Sequence, residues 1–311
     1  MSAEARPVRT YLAVPAHRRR LVQSAAASAA DAVFLDLEDA VPPGEKAAAL
    51  DAAVQALTEL DWGHKSISVR LNAVASATIA GEIDRLAALP RLDAVIVPKA
   101  EHPADIAALA VEFRAKRGNR PVSVALELLI ETALGLVNVE QLAVADPLVS
   151  ALHLGVGDFA ASIGARSPEI GASPPGYRHA ENLAGRINDV PLDLFAYPMM
   201  RLLVAARAFG LQAIDGPCGA YRDEAMTMAS ARKAAAMGFD GKQVIHPSQI
   251  EPTRDAFIPS SDEVAFARKV LAAMEDATRN GHGAVTVDGK MIDYANLRMI
   301  RRVIQFADGC R

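Results

Sequence analysis

AVIVPKAEHPADIAALAVEFRAK, residues 94–116, sets a short run of Val and Ile against an Ala-rich segment with helical spacing. The first part reads as a strand and the second as a helix packed over it, the βα half of a parallel βαβ unit. Working outward in both directions, the same alternation recurs. Strands are expected near Tyr11 to Pro15, Val33 to Glu38, Ile67 to Asn72, Ala94 to Lys99, Val122 to Ile130, Ala151 to Gly157, Gln212 to Gly216 and Gln243 to Pro247. Eight such units without a composition shift or linker predict one closed (β/α)8 TIM barrel in preference to an open doubly wound sheet. The barrel is expected over residues 1–280, with a helix from about Ser261 to Asn280 closing it. Residues 281–311 then form an extension, a Gly-rich loop and a second helix, read as a lid or a subunit contact.

Composition narrows the partners. The chain has 311 residues, 51% of them hydrophobic, so it can bury a large core. Its net charge of −4 gives no basic field for nucleic acid or an anionic membrane, which leaves a small molecule as the expected partner. Cys218 and Cys310 stand far apart without CxxC spacing, which argues against a disulfide framework or a zinc site and suits a reducing compartment. Met1 to Arg9 lacks the apolar core of a signal peptide, and no stretch approaches the roughly 20 apolar residues of a membrane span. A cytoplasmic protein is expected.

Several strands end in polar residues: Asp36, Glu38 and Asp39, then Arg70 and Asn72, then Lys99 and Glu101, then Glu131, Asp158, Asp215 and His246. In a barrel these ends meet at the C-terminal mouth, where active sites of this fold sit. Glu131 and Asp158, on adjacent strand ends, can supply the carboxylate pair of a Mg2+ site, a hard ion that keeps waters and takes substrate oxygens; or they simply cap the following helices. Glu127 shares the parity of Glu131 but lies deeper. Arg70 either forks onto a substrate carboxylate or oxyanion, or pairs with Glu38 or Asp39. Lys99 offers a Schiff-base alternative, and His246 is read as orienting the eighth strand end. Gly155, Gly157 and Ala160 match GxGxxA, yet Asp158 would point negative charge at a pyrophosphate, so a dinucleotide turn is rejected. The sequence has no P-loop, GxSxG or HExxH.

FLDLEDAVPPGEKAAA, SVRLN, VIVPKAE, LLIETALGL, GVGDFAASIGA, LQAIDGP and GFDGKQVIHPSQI occur in that order across almost the whole chain. On these motifs the chain resembles the citrate lyase beta subunit family, within the aldolase/citrate lyase superfamily that also holds malyl-CoA and citramalyl-CoA lyases. DGKMID in the tail looks like the end of members that carry a C-terminal lid.

The resemblance implies Mg2+ held by Glu131 and Asp158, substrate bound by Arg70, and Glu38 and Asp39 beside the metal holding its waters. It also implies that Asp293, in MID, is an acid–base aspartate supplied by a neighbouring subunit, so that a homo-oligomer, trimer or hexamer, completes the site. The implied reaction cleaves or forms the carbon–carbon bond of a 3-hydroxyacyl-CoA such as malyl-, citramalyl- or citryl-CoA, giving a 2-oxo acid and an acyl-CoA. A CoA-free aldolase of a hydroxy-oxo acid and a non-catalytic lyase subunit are the alternatives. Two departures bear on the substrate. Relatives commonly have Pro-Gly and a following Lys where CoA binds, whereas here Pro15-Ala16 precedes His17, Arg18, Arg19 and Arg20; these arginines, Arg18 first, either meet CoA phosphates or form a solvated face. Tyr197 to Arg201 replaces a usual Arg-Ser pair, after an insert from Arg166 to Pro191 rich in Pro, Gly and Ser.

Overall fold

The computed structural model describes residues 7–121, 123–183 and 185–309. Val122, Cys310 and the first six residues, which entered the readings above, lie outside them. Two compact units are present among the described residues, one within residues 8–253 and one formed by residues 254–309 with Pro7.

In the larger unit the strands are β1 (Thr10–Pro15), β2 (Ala32–Asp36), β3 (Ser66–Arg70), β4 (Ala94–Val97), β5 (Ala125–Ile130), β6 (Val149–Leu154), β7 (Arg178–Leu183), β8 (Arg186–Pro191), β9 (Gln212–Asp215) and β10 (Gly241–Val244). All but β7 and β8 join in one closed barrel, ordered β1-β2-β3-β4-β5-β6-β9-β10 and returning to β1. Neighbours run parallel, with Leu12 opposite Val33 on one side of β1 and opposite Val244 on the other. The expected (β/α)8 barrel is therefore the observed one. Its strands are buried on both faces, which is why they read as near-continuous apolar runs instead of alternating ones.

Alternate residues point into the lumen, where Tyr11, Phe34, Ile96, Leu129 and Ile214 form a buried cluster. Truncating Phe34 to Ala there would cost roughly 3–5 kcal/mol. Glu127, His153 and Gln243 are paired with one another inside the barrel. Glu127 Oε2 lies 3.1 Å from His153 Nε2, Gln243 Nε2 lies 3.0 Å from His153 Nδ1, and the Tyr11 ring meets the His153 ring edge-on at 5.1 Å. Glu127 is thereby committed to the interior, which leaves Glu131 as the carboxylate of that strand available to a ligand.

Three local details differ from expectation. The sixth strand stops at Leu154, because Gly155 N–H makes a last bond to Ile130 O and Phe159 N–H then bonds back to Gly155 O. The helix Val156–Ser162 begins at once, so Asp158 sits in a first helical turn and not on a strand end. The insert, for which no strand was expected, contains the antiparallel hairpin β7–β8 with Arg178 opposite Pro191, and β8 is exposed along its length. With polar residues on both faces it gave no period-two signal.

In the smaller unit, the helix Ser261–Arg279 starts at a capping box made by Ser260 and Glu263. The tail's loop is itself a hairpin, β11 (Ala284–Val287) and β12 (Lys290–Asp293), turned by Asp288 and Gly289 at φ +50° and +76°. Two consecutive positive φ values are the demand of a type I′ turn, and Asp-Gly meets it. A helix, Leu297–Gly309, follows. Val270, Met274, Val287, Ile292 and Leu297 close a core within this unit. Among the described residues no helix is long and apolar enough to cross a membrane.

Candidate metal and substrate site

Asp36 ends β2 with its carboxylate folded back on the loop it starts. Oδ1 accepts from Glu38 N–H at 2.9 Å and Oδ2 from Ala40 N–H at 3.0 Å, while Lys46 Nζ ties the Leu37 and Glu38 carbonyls at 2.8 and 2.5 Å. Arg70, one strand over and in register with Asp36, forks onto the same carboxylate, Nε to Oδ1 and Nη2 to Oδ2, both at 2.7 Å. Burial alone would raise Asp36, but the Arg70 hydrogen bonds and charge, with the two N–H donors, hold it below the usual carboxylate range. The remaining Arg70 nitrogen, Nη1, stands 3.4 Å from Glu38 Oε2. Arg70 is thus gripped mainly by Asp36, a partner the sequence reading did not name, and Glu38 is a weaker contact.

Glu131 follows β5 and is buried. Its Oε1 accepts from Lys99 N–H at 2.8 Å. Gly155, the first residue past β6, runs so close that a Cβ there would meet the Glu131 carboxyl. Burial, then the negative charge of Glu38, push Glu131 up to about 8, against the pull of Arg70 and the Lys99 N–H; Asp158 pushes the same way as Glu38. Glu38 is itself raised, by burial first, despite Arg70 and Lys99. Lys99 closes the group, with Nζ 2.5 Å from Glu38 Oε1, 3.2 Å from Asp39 Oδ2 and 3.3 Å from Asp158 Oδ2. Burial would lower its ammonium, but Glu38, Glu131 and Asp39 hold it above the ordinary lysine value. A lysine so held is protonated at neutral pH and a poor nucleophile, which weighs against a Schiff base.

The donor set fits a hard divalent cation of the Mg2+ kind. Among the described residues no three or more His, Cys, Asp or Glu side chains are arranged to hold a metal ion together, yet Mg2+ needs only one or two carboxylates and fills its sphere with water and substrate oxygens. Two carboxylate oxygens, Glu38 Oε2 and Asp158 Oδ2, are buried without a hydrogen-bond partner. Glu131 is raised by burial first and by the neighbouring carboxylate charge of Glu38 second, both of which a cation bound beside it would offset.

Arg70, Glu38, Asp39, Glu131 and Asp158 thus gather at one end of the barrel, and Lys99 joins them. Arg18 does not touch this group; with Arg19 and Arg20 it is exposed at the start of the helix Arg19–Ala26, which follows β1. Asp293 belongs to the smaller unit, where its Oδ1 accepts from Ala295 N–H at 2.9 Å and Asn296 N–H at 3.3 Å. Asp215 is taken up by Lys242 Nζ at 2.5 Å, a buried ion pair. His246 accepts from Ser248 N–H through Nδ1 at 3.2 Å and so caps the turn after β10. Sequence reasoning missed the grip of Asp36 on Arg70, the approach of Gly155 to Glu131 and the anchoring of the loop by Lys46. Asp36 was visible as an acid in register with Arg70; the other two depend on the fold.

Over residues 9–247 the chain matches the HpcH/HpaI aldolase/citrate lyase family. It is 37% identical to an L-malyl-CoA/beta-methylmalyl-CoA lyase of Cereibacter sphaeroides, over 98% of this chain and 96% of that one. A (3S)-malyl-CoA thioesterase of the same organism is 32% identical, over 99% and 97%. Among solved structures, protein CitE from Mycobacterium tuberculosis in complex with magnesium, acetoacetate and coenzyme A superposes with a TM-score of 0.76 at 33% identity, covering 98% of this chain and all of that one. These similarities bear out the resemblance drawn from the motifs: the chain belongs to the HpcH/HpaI aldolase/citrate lyase family.

Proposed function

We propose that this chain is a Mg2+-dependent carbon–carbon lyase that cleaves or forms a 3-hydroxyacyl-CoA thioester, with malyl-CoA and its methyl-substituted analogues as the first candidates. The observation that carries the reading is the carboxylate cluster at the barrel mouth, with Glu38 and Glu131 buried, Glu131 raised to about 8, and Asp158 Oδ2 without a hydrogen bond. Names of relatives support it: malyl-CoA lyases over the full length, and a neighbour solved with both magnesium and coenzyme A.

Glu131 and Asp158 would hold the metal, with Glu38 and Asp39 orienting its waters. Bound there, Mg2+ supplies Lewis acidity and a template for the keto and carboxylate oxygens of a 2-oxo acid. Arg70, fixed by Asp36, carries a permanent positive charge toward the oxygen on which negative charge develops as the bond between the α and β carbons breaks. In cleavage a base takes the substrate hydroxyl proton, the hydroxyl carbon becomes the keto carbon of the 2-oxo acid, and the electron pair of the broken bond leaves on the other fragment as a thioester enolate. Asp293, contributed by a neighbouring subunit of a homo-oligomer, would return a proton to the enolate carbon, or abstract it in the synthetic direction. The segment from residue 281 onward would act as the lid that keeps water from the enolate. Arg18 would meet the CoA phosphates.

The test is turnover of malyl-, citramalyl- and citryl-CoA with capture of the released 2-oxo acid, with and without free CoA. Metal-dependent release inhibited by CoA is the expected result. Cleavage of a free hydroxy-oxo acid that ignores CoA would replace this reading with the CoA-free aldolase.

A further inference from the structure

Lys99 is one of two non-glycine residues with positive φ among the described residues, at +48°. A residue with a Cβ is strained in that conformation, so neighbours must impose it. They are visible: Lys99 N–H is bound by Glu131, Ala100 N–H by Leu129 O, and Gly135 packs so closely on this turn that a Cβ there would stand 2.4 Å from Ala100 O. The backbone twist sends the side chain into the acid cluster, and Nζ reaches carboxylates from two separate segments, Glu38 and Asp39 in the loop after β2 and Asp158 in the helix after β6.

Five carboxylates meet there, Asp36, Glu38, Asp39, Glu131 and Asp158, against the two cations Arg70 and Lys99. Arg70 is forked onto Asp36 and reaches Glu38 only at 3.4 Å, whereas Lys99 Nζ lies within 3.3 Å of Glu38, Asp39 and Asp158. Its contact with Asp158 is to Oδ2, a buried oxygen that has no hydrogen bond.

We propose that Lys99 is the resident counter-cation of this site: its ammonium holds Glu38, Asp39 and Asp158 together before metal binds, gives up Asp158 when Mg2+ arrives, and thereby sets the metal affinity by competition. The proposal rests on Glu131 and Asp158 being the metal pair. It makes Lys99 a positioning residue and predicts an unusual sign. Removing a residue of the site tightens metal binding, because a positive charge within a few ångströms of the metal is lost.

The measurement is Mg2+ affinity by calorimetry, with metal-free melting temperature alongside, for wild type, Lys99→Met, Lys99→Gln and Lys99→Arg. Expected is a dissociation constant lowered about fivefold or more in both neutral variants, little changed in Lys99→Arg, together with a lower metal-free melting temperature and a larger upshift on Mg2+ addition. In wild-type protein, competitive acylation of lysines read by mass spectrometry should show Lys99 labelling rise on Mg2+ saturation, which keeps the test open even where a variant fails to fold. Neutral variants that bind Mg2+ as wild type does, or more weakly, or labelling that stays flat or falls, would overturn the role of Lys99 alone. A wild-type protein that binds no Mg2+ would overturn the metal pair as well.

Discussion

Gly155 and Glu131, on neighbouring strand ends, approach so closely that a Cβ built on Gly155 would lie 2.3 Å from Glu131 Cβ and 2.5 Å from its Oε2. No rotamer of an alanine avoids this, since the Cβ position is fixed by the backbone. Gly155→Ala must therefore push the Glu131 carboxyl aside or open the β5–β6 seam. The expected outcome is a loss of kcat/KM of at least about a hundredfold, the cost of roughly 1 Å of misplacement, with weakened Mg2+ binding and a retained far-UV spectrum. Near-normal activity in this variant would mean that Glu131 need not sit where it does.

Asp36→Asn tests the grip on Arg70. The side chain loses its charge but keeps its shape, so a buried guanidinium is left without its bidentate partner. Breaking such a pair costs on the order of 3–5 kcal/mol, read as a lowered denaturation midpoint, and catalysis should fall because Arg70 is no longer aimed. The pH dependence has a defined sign. The folded pKa of Asp36 lies below its unfolded value, so its stabilisation is present above about pH 4 and fades as pH falls through the folded value. The variant should lack that part of the acid limb.

Glu131 gives the opposite slope. Its folded value in the metal-free protein, about 8, lies above the ordinary 4.5, so the folded state binds the extra proton between those values. Stability from this group is complete below about 4.5 and is lost as pH rises through about 8. Metal-free protein should therefore melt lower at pH 8.5 than at pH 5.5, and Glu131→Gln should flatten that difference. Mg2+ binding near neutral pH should release a proton, seen as a dependence of the binding heat on buffer ionisation enthalpy.

Asp293→Asn should abolish turnover while leaving Mg2+ affinity unchanged, because the residue is assigned to proton transfer and is not one of the carboxylates assigned to the metal. Mixing it with inactive Glu131→Gln and allowing subunits to exchange should restore part of the activity, since mixed oligomers would contain sites with both residues intact. No recovery from mixtures shown to have exchanged would place Asp293 within its own subunit's site or outside the chemistry.

The barrel could be read from the sequence because a parallel sheet buried on both faces leaves unbroken Val/Ile/Leu runs, and Ala94–Val97 is one of them. The mouth acids were legible by their position after such runs. Gly155 was not, because its reason to be glycine is a neighbour twenty-four residues away in sequence, at Glu131. Asp158 was placed on a strand end because apolar residues continue through Val156, whereas a glycine after Leu154 lets the helix start early. The β7–β8 hairpin escaped notice because Arg186–Pro191 is exposed along its length and carries no apolar alternation. The tail hairpin did announce itself, in Asp288-Gly289 between Val287 and Lys290, and that signal was passed over as a loop.

The most direct test is release of glyoxylate from malyl-CoA by wild type, Glu131→Gln and Asp158→Asn across a Mg2+ titration. Turnover that needs the metal in wild type and falls at least about a hundredfold in both variants is the result predicted. Wild-type cleavage that survives complete chelation, or either variant working at the wild-type rate, would contradict the assignment of Glu131 and Asp158 as the metal pair.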